Sequence, residues 1–159
     1  MIDLHGRIDE VICLGCRVIS GRLDLHERLD ALNPGFGDAV SVRAAPDGDV
    51  DLEDTGGFRL APCLHCGGPL KPHVVFFGEN VPRDRVDRAY RAVDRCEALL
   101  VAGSSLTVMS GLRFVRHAAR SGTPIVIINR GITRGDPLAT CRVDAGCSET
   151  LTALVGQLG

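Results

Sequence analysis

Cys13-Leu14-Gly15-Cys16 and Cys63-Leu64-His65-Cys66 are the stretches whose reading decides the fold. A C-x-x-C turn aims two thiolates at one point about 2.3 Å from each sulfur. Two such turns close a tetrahedron and leave no position for water, which is the pattern of a zinc ion that holds a fold and performs no chemistry. Cys13, Cys16, Cys63 and Cys66 are therefore the expected ligands of one structural zinc. A pair of disulfides or a rubredoxin-like iron site is the alternative, and two pairs at this spacing favour zinc far more strongly than one. His65, inside the second turn, reads as a solvent-facing residue rather than a fifth ligand.

Working outward, residues 8–12 alternate as a short strand running into the first turn. Leu25, Leu29 and Leu32 share one helical face, and Asn33-Pro34-Gly35 stops that helix. Residues 34–59 are rich in Gly, Pro and Asp, with turns expected over 45–50 and over 54–57. Short elements tied by a metal suit a module too small to stand on its own core. Residues 1–70 are expected to form this zinc-binding module.

After Cys66 the texture changes. Residues 74–77 are a continuous apolar run, expected as a strand buried on both faces. From Arg83 onward Val86, Ala89, Tyr90 and Val93 mark one face of an amphipathic helix, and residues 98–102 a second buried strand. Met109, Leu112, Val115 and Ala119 mark the next helix, stopped by Gly122 and Pro124. Residues 125–128 form a third strand, 140–143 a weaker fourth, and 148–158 a closing helix with Ser148 as N-cap. Strand, helix, strand, helix, strand predicts an α/β fold with a doubly wound parallel sheet. Ligands of such sheets sit at the carboxyl ends of the strands. Those ends carry Phe77-Gly78-Glu79, Gly103-Ser104-Ser105 and Asn129-Arg130-Gly131, small and polar residues suited to a nucleotide. Ser104 and Ser105 also precede a helix, whose first amides favour anionic groups.

Composition narrows the partners. The chain has 159 residues, 45% of them hydrophobic, and a net charge of -2, so no general attraction to nucleic acid or to an acidic membrane is expected. No apolar run is long enough to cross a bilayer. No Arg/Lys-led apolar leader is seen, so a cytoplasmic setting is expected, which disfavours disulfides. Of the seven cysteines, Cys96 in a helical pattern and Cys141 in a strand pattern read as small core residues. His26 and His117 fall on helical patterns and read as surface residues.

These motifs, taken in order, resemble the sirtuins, the NAD-dependent protein lysine deacylases. The resemblance rests on Leu4-His5-Gly6, the paired cysteine turns, Val75-Phe76-Phe77-Gly78-Glu79, Gly103-Ser104-Ser105-Leu106 and Ile128-Asn129. Asn33-Pro34, the stretch from Ala45 to Val50 and Leu70-Lys71-Pro72 are similar to the class II branch. The resemblance implies a Rossmann-like NAD-binding domain, of which residues 71–159 would be the C-terminal part, beside the zinc module. It implies NAD(+) as co-substrate and an acyl-lysine protein or peptide as substrate, giving free lysine, nicotinamide and O-acyl-ADP-ribose. Carried over, Val75 and Phe77 would line the acyl-lysine tunnel, and Gly78, Glu79 and Val108 would pair with the substrate backbone. Gly103, Ser104 and Ser105 would contact phosphates and ribose, Asn129, Arg130 and Gly131 the adenosine ribose, and Cys147 the adenine.

The family's glycine-rich loop, its Gln-Asn-x-Asp stretch and its catalytic histidine precede Leu4-His5-Gly6, and none occurs among these residues. His5 reads as structural, and His73 is not expected to be a base. The resemblance thus implies a form lacking the N-terminal part of the catalytic domain, inactive alone, for which an N-terminal sirtuin fragment would be a partner. The competing reading is a non-catalytic zinc-stabilised module that binds acyl-peptide or ADP-ribose.

Overall fold

The computed structural model describes residues 1–36, 43–44, 50–51 and 55–158. Most of the turn expected over 45–50, and Asp54 of the next, lie outside them; the turn at Gly56 and Gly57 is present. The chain divides into two compact units, one of His5–Asn80 and one of Met1–Leu4 with Val81–Gly159.

In the His5–Asn80 unit, β1 (Gly6–Cys13) is flanked by β2 (Ile19–Gly21) and β5 (Leu70–Val74), both antiparallel to it. Between β2 and β5 lie α1 (Arg22–Leu32) and a two-residue ladder of β3 (Arg43–Ala44) with β4 (Val50–Asp51). Helix α1 ends where Asn33 was expected to stop it. Asn33 Nδ2 donates to the carbonyls of Leu29 (2.8 Å) and Arg59 (2.9 Å), and its Oδ1 accepts from the Arg59 amide. One side chain therefore closes the helix and pins the returning loop. Leu25 and Leu29 are half-buried, whereas Leu32 is exposed. Among the described residues the buried set of the unit is small: Val11, Ile12, Cys13, Ala61 and Cys63.

Two expectations change here. The apolar run at 74–77 does not open a doubly buried strand. The strand is Leu70–Val74, it pairs with β1 alone among the described residues, and every residue of it is half-buried. Pro72, with no amide to donate, suits such an edge. Phe76 and Phe77 lie beyond it, and Phe77 is fully exposed. An apolar run shows only that residues are greasy, not what covers them. Ile8 is also exposed, because a register shift between Gly6 and Val11 breaks the alternation read over 8–12.

In the Val81–Gly159 unit, β6 (Leu99–Ala102), β7 (Ile125–Ile128) and β8 (Cys141–Val143) form a parallel sheet in that order. Helix α2 (Arg83–Asp94) precedes β6, α3 (Met109–Arg120) crosses from β6 to β7, and α4 (Cys147–Leu158) follows β8. The core joins Val93 of α2, Leu112, Val115 and Ala118 of α3, and Ile125 and Ile127 of β7 around Leu106. Strand β7, paired on both sides, is almost wholly buried. Strand β6 alternates, with Leu100 half-exposed, because among the described residues it is paired on one side only. Replacing Ile127, which has no exposed surface, with alanine should cost about 2–5 kcal/mol. Urea unfolding followed by circular dichroism reads this directly, and a cost below about 1 kcal/mol would contradict the central burial of β7.

Three side chains sit differently from expectation. Cys141 is exposed, because β8 lies at the other edge of the sheet, whereas Cys96 does pack on the core. His117 is not an open surface residue. Its Nε2 lies 2.5 Å from Asp94 Oδ1 and its ring stands edge-on to Tyr90, which meets Phe114, so it seams α2 to α3. Helix α4 begins at Cys147, so Ser148 lies in its first turn; the Gly146 carbonyl accepts the first helical bond, from the Thr150 amide. His26, as expected, is exposed.

A four-cysteine metal centre and two strand-end loops

Both cysteine turns are built alike. In the first, Cys13 N donates to Val18 O, and Arg17, in the left-handed region, donates to Cys13 O. In the second, Cys63 N donates to Gly68 O, and Gly67, also left-handed, donates to Cys63 O. Leu14 N to Pro69 O (2.9 Å) fastens one turn to the other. Arg28 of α1 donates to the Pro62 carbonyl beside the second turn. Gly68 leaves room for the sulfurs: a Cβ there would stand 3.2 Å from both Cys13 Sγ and Cys66 Sγ.

The four Sγ atoms all lie within 4.8 Å of one another, with Cys13 to Cys66 at 3.5 Å and Cys16 to Cys63 at 3.8 Å. The edge of a zinc–thiolate tetrahedron is about 3.8 Å, so the donor set fits zinc. No two cysteines are bonded as a disulfide among the described residues. Electrostatics also call for a cation. Backbone hydrogen bonds, chiefly from the Cys16 amide, and the Cys66 thiol pull the Cys13 thiol down to about 6. A backbone bond at Val18 favours the Cys16 thiolate too, yet the neighbouring sulfurs of Cys66, Cys13 and Cys63, with burial, push it up to about 12. Four thiolates this close cannot all ionise without a positive ion among them. His65 faces solvent, and the four sulfurs come together without it.

Beyond β5, Lys71 Nζ contacts both Glu79 oxygens at 2.6 and 2.5 Å and stands 4.8 Å over the Phe76 ring. Glu79 Oε2 also accepts from the Phe76 amide. The loop carrying Val75, Phe77, Gly78 and Glu79 is thus closed on itself by the only lysine of the chain. The Lys71 ammonium, first, and the Phe76 amide hold the Glu79 carboxyl below its ordinary range. The clamp is therefore complete above that range and is lost as pH falls through the lowered value. His73 makes a 2.8 Å contact from Nδ1 to Glu10 Oε2, a link between β5 and β1.

In the other unit, the ends of β6 and β7 converge with the start of α4. Gly103 N donates to Ile128 O (3.0 Å), and Cys147 Sγ lies 3.3 Å from the same carbonyl. A Cβ on Gly103, which is left-handed, would stand 3.4 Å from Cys147 Sγ. Ser104 Oγ accepts from the Leu106 amide, and Ser105 Oγ meets Thr107 Oγ1 at 2.9 Å. Asn129 Nδ2 donates to the Arg130 carbonyl, and Arg130 pairs with Glu149 of α4. Gly103, Ser104, Ser105, Asn129, Arg130, Gly131 and Cys147 thus occupy one end of the parallel sheet, its carboxyl end. Val108 is the exposed residue before α3 in the same unit.

The site reading from sequence missed Lys71 as a clamp, and it missed Thr133, Arg134, Asp136, Arg142 and Asp144 behind the strand-end loops. Thr133-Arg134-Gly135-Asp136 carries a capping-type spacing ahead of the short 3-10 turn Asp136–Leu138, and that signal was available. Nothing in the sequence marks Arg142 or Asp144.

A closed four-sulfur metal module and a parallel α/β sheet with small, polar strand ends define a zinc-stabilised protein of Rossmann-like architecture. The chain belongs to the Sir2 family, whose family model matches residues 1–110. The NAD-dependent protein deacetylase 1 of Mycobacterium avium (strain 104) is 55% identical over 162 residues, covering 99% of this chain and 57% of that protein. The NAD-dependent protein deacetylase 1 of Streptomyces coelicolor is 52% identical over 161 residues, covering 100% of this chain and 54% of that one. This chain therefore spans about half the length of the curated relatives it matches. Among solved structures, a Sir2 in complex with a p53 peptide and NAD+ superposes with a TM-score of 0.70 at 26% identity, over 98% of this chain and 54% of the other. Sir2Tm bound to a propionylated peptide gives a TM-score of 0.71 at 26% identity, over 98% and 55%. Among the described residues no helix is long and apolar enough to cross a membrane.

Proposed function

We propose that this chain supplies the zinc module and the strand-end nucleotide loops of an NAD-dependent protein lysine deacylase. In this reading the remaining half of the catalytic domain, with the histidine base, comes from further polypeptide or from an N-terminal sirtuin fragment. The observation that carries the proposal is the convergence of Gly103, the Ile128 carbonyl and Cys147 at the carboxyl end of the sheet, where α/β folds take nucleotides. The relatives' names and the NAD+-bound neighbour point the same way.

NAD+, when bound, would supply a nicotinamide ribose from which the acyl oxygen displaces nicotinamide. Gly103, Ser104 and Ser105 hold the phosphates and ribose, with Gly103 left-handed and without a side chain to block approach. Asn129, Arg130 and Gly131 hold the adenosine ribose, and Cys147 lies beside the adenine. Val75 and Phe77 line the path of the acyl-lysine, and Gly78, Glu79 and Val108 pair with the substrate backbone. The zinc holds its module and takes part in no step.

The test mixes this chain with the complementary half of the Mycobacterium avium relative, an acetyl-lysine peptide and NAD+. Nicotinamide release is expected from the mixture and from neither half alone. No release from a folded mixture would refute the deacylase reading and leave the binding module in its place. Release by this chain alone would refute the division of labour. Lys71→Met in the same mixture should raise the peptide KM by roughly tenfold while leaving the NAD+ KM unchanged, because it frees the 75–79 loop without touching the nucleotide loops. Equal changes in both constants would contradict that role.

A further inference from the structure

Behind the two nucleotide loops lies a network that none of the readings above has used. Arg142 of β8 reaches three groups at once: Nε is 3.1 Å from Asp136 Oδ2, and Nη2 donates to Gly131 O at 2.8 Å and to Asp144 Oδ2 at 3.1 Å. Asp144 Oδ1 in turn accepts from the Gly131 amide at 3.0 Å. Both backbone groups of Gly131 are therefore held from beneath by one Arg–Asp pair. Asp136 accepts from the amide and hydroxyl of Thr133, which is buried, and so fixes the turn that follows. Arg134 in that turn crosses to the other loop, donating from its amide to Ser105 O at 2.9 Å and from Nη1 to Thr107 O at 3.0 Å. Leu106, left-handed and buried, fills the space that Gly135 leaves open, since a Cβ there would lie 2.4 Å from Leu106 Cδ1.

The chain of contacts thus runs from Gly131 through Arg142 and Asp136 to Thr133, and from its neighbour Arg134 to Ser105. We propose that Arg142 and Arg134 are positioning residues that set the 103–107 and 129–131 loops in one shared conformation, preorganised for the adenosine and phosphate portion of the dinucleotide. The inference rests on the NAD reading above. It makes affinity for ADP-ribose depend on side chains placed behind the loops. A flexible lysine cannot reproduce it, because only a guanidinium presents donors to two carboxylates and a carbonyl in one fixed fork. Preorganisation of this kind acts by sparing the ligand the cost of ordering the loops.

The test has two readouts. In this chain, Arg142→Met should speed amide hydrogen exchange at Gly131 and also at Arg134, while Ile127 stays protected. In the mixture with the complementary half, Arg142→Met should weaken ADP-ribose binding by about tenfold or more and raise the NAD+ KM. The peptide KM and kcat at saturating NAD+ should hold. Arg142→Lys should recover only a minor part, and Asp144→Asn, which keeps an acceptor for the Gly131 amide, should show a smaller loss in the same direction. Unchanged exchange at Arg134, or unchanged ADP-ribose affinity in a mixture whose unmodified form binds it, overturns the coupling. If the unmodified mixture binds no ADP-ribose, the NAD reading fails instead. If Arg142→Met and Asp144→Asn both unfold the Val81–Gly159 unit, the residues are structural and the proposal falls.

Discussion

Cys63→Ser is expected to strip the metal and unfold the His5–Asn80 unit. The reason is the size of what remains without it. Apart from two of the cysteines, the buried hydrophobic residues of that unit, among the described residues, are Val11, Ile12 and Ala61, far less apolar surface than a stable core requires. Helix α1 has no buried residue. Structural zinc in small modules contributes about 10–16 kcal/mol, as much as the whole stability of a typical domain. Cys63 is a buried ligand, and its amide and carbonyl both close the second turn, to Gly68 and Gly67, as those of Cys13 close the first. Zinc should fall from about one per chain to near none. Amide exchange at Val11 and Ile12 should lose protection, while Ile127 in the other unit keeps it. A strong chelator should reproduce the pattern in the unmodified chain. Full protection at Val11 in zinc-free protein would contradict the account.

Gly6→Ala is expected to cost roughly 3 kcal/mol or more, because it meets two penalties at once. Gly6 has φ +84, a region that L side chains rarely adopt, and an added Cβ would lie 2.0 Å from the His73 carbonyl oxygen and 3.1 Å from Val74 Cα. Both neighbours are backbone. They cannot retreat without losing the Gly6–Val74 pairing and the Val75 N to His5 O bond (2.8 Å) that start the β1–β5 ladder. Gly35→Ala isolates the conformational share, since Gly35 has φ +74 and nothing within 4 Å. It should cost about 1–2 kcal/mol. The comparison is made by urea unfolding in excess zinc. Equal costs at the two positions would show that β1 and β5 do not approach as closely as described.

Much of this was legible in the residues because it rests on short-range patterns. C-x-x-C spacing places sulfurs by turn geometry alone, and the four converge as read. The β6–α3–β7 unit follows from a helical period framed by two apolar runs and stopped at Gly122 and Pro124. Asn33 ends α1 through its own amide group. What misled was apolar content read as burial. Residues 74–77 and Cys141 are apolar, yet they fall beside or on sheet edges, and sheet order is a long-range fact that no local window contains. His117 was misjudged for the converse reason: a polar residue on a helix gains partners, here Asp94 and Tyr90, only when a second helix packs on it. The Arg142 network was invisible because its members reach across a β-strand end and a loop with no period between them. The Lys71 clamp likewise joins residues eight apart across an irregular loop.

The depressed carboxyls behind the strand-end loops also fix the pH range over which that network persists. Hydrogen bonds from the Thr133 hydroxyl and amide, then the Arg142 charge, hold Asp136 below its ordinary value; the Gly131 amide and then Arg142 do the same for Asp144. Their stabilising effect is complete above the ordinary carboxylate range and disappears as pH falls through the lowered values. Amide-exchange protection at Gly131 should therefore hold through the ordinary carboxylate range and be lost only at lower pH.

Four sulfurs on one divalent ion hold the unit that carries the 75–79 loop. X-ray absorption at the zinc edge of the purified chain tests it most directly. The account predicts one zinc per chain with four sulfur neighbours at about 2.3 Å. Nitrogen or oxygen in that shell, or folded protein whose four cysteines are oxidised or free of metal, would contradict it.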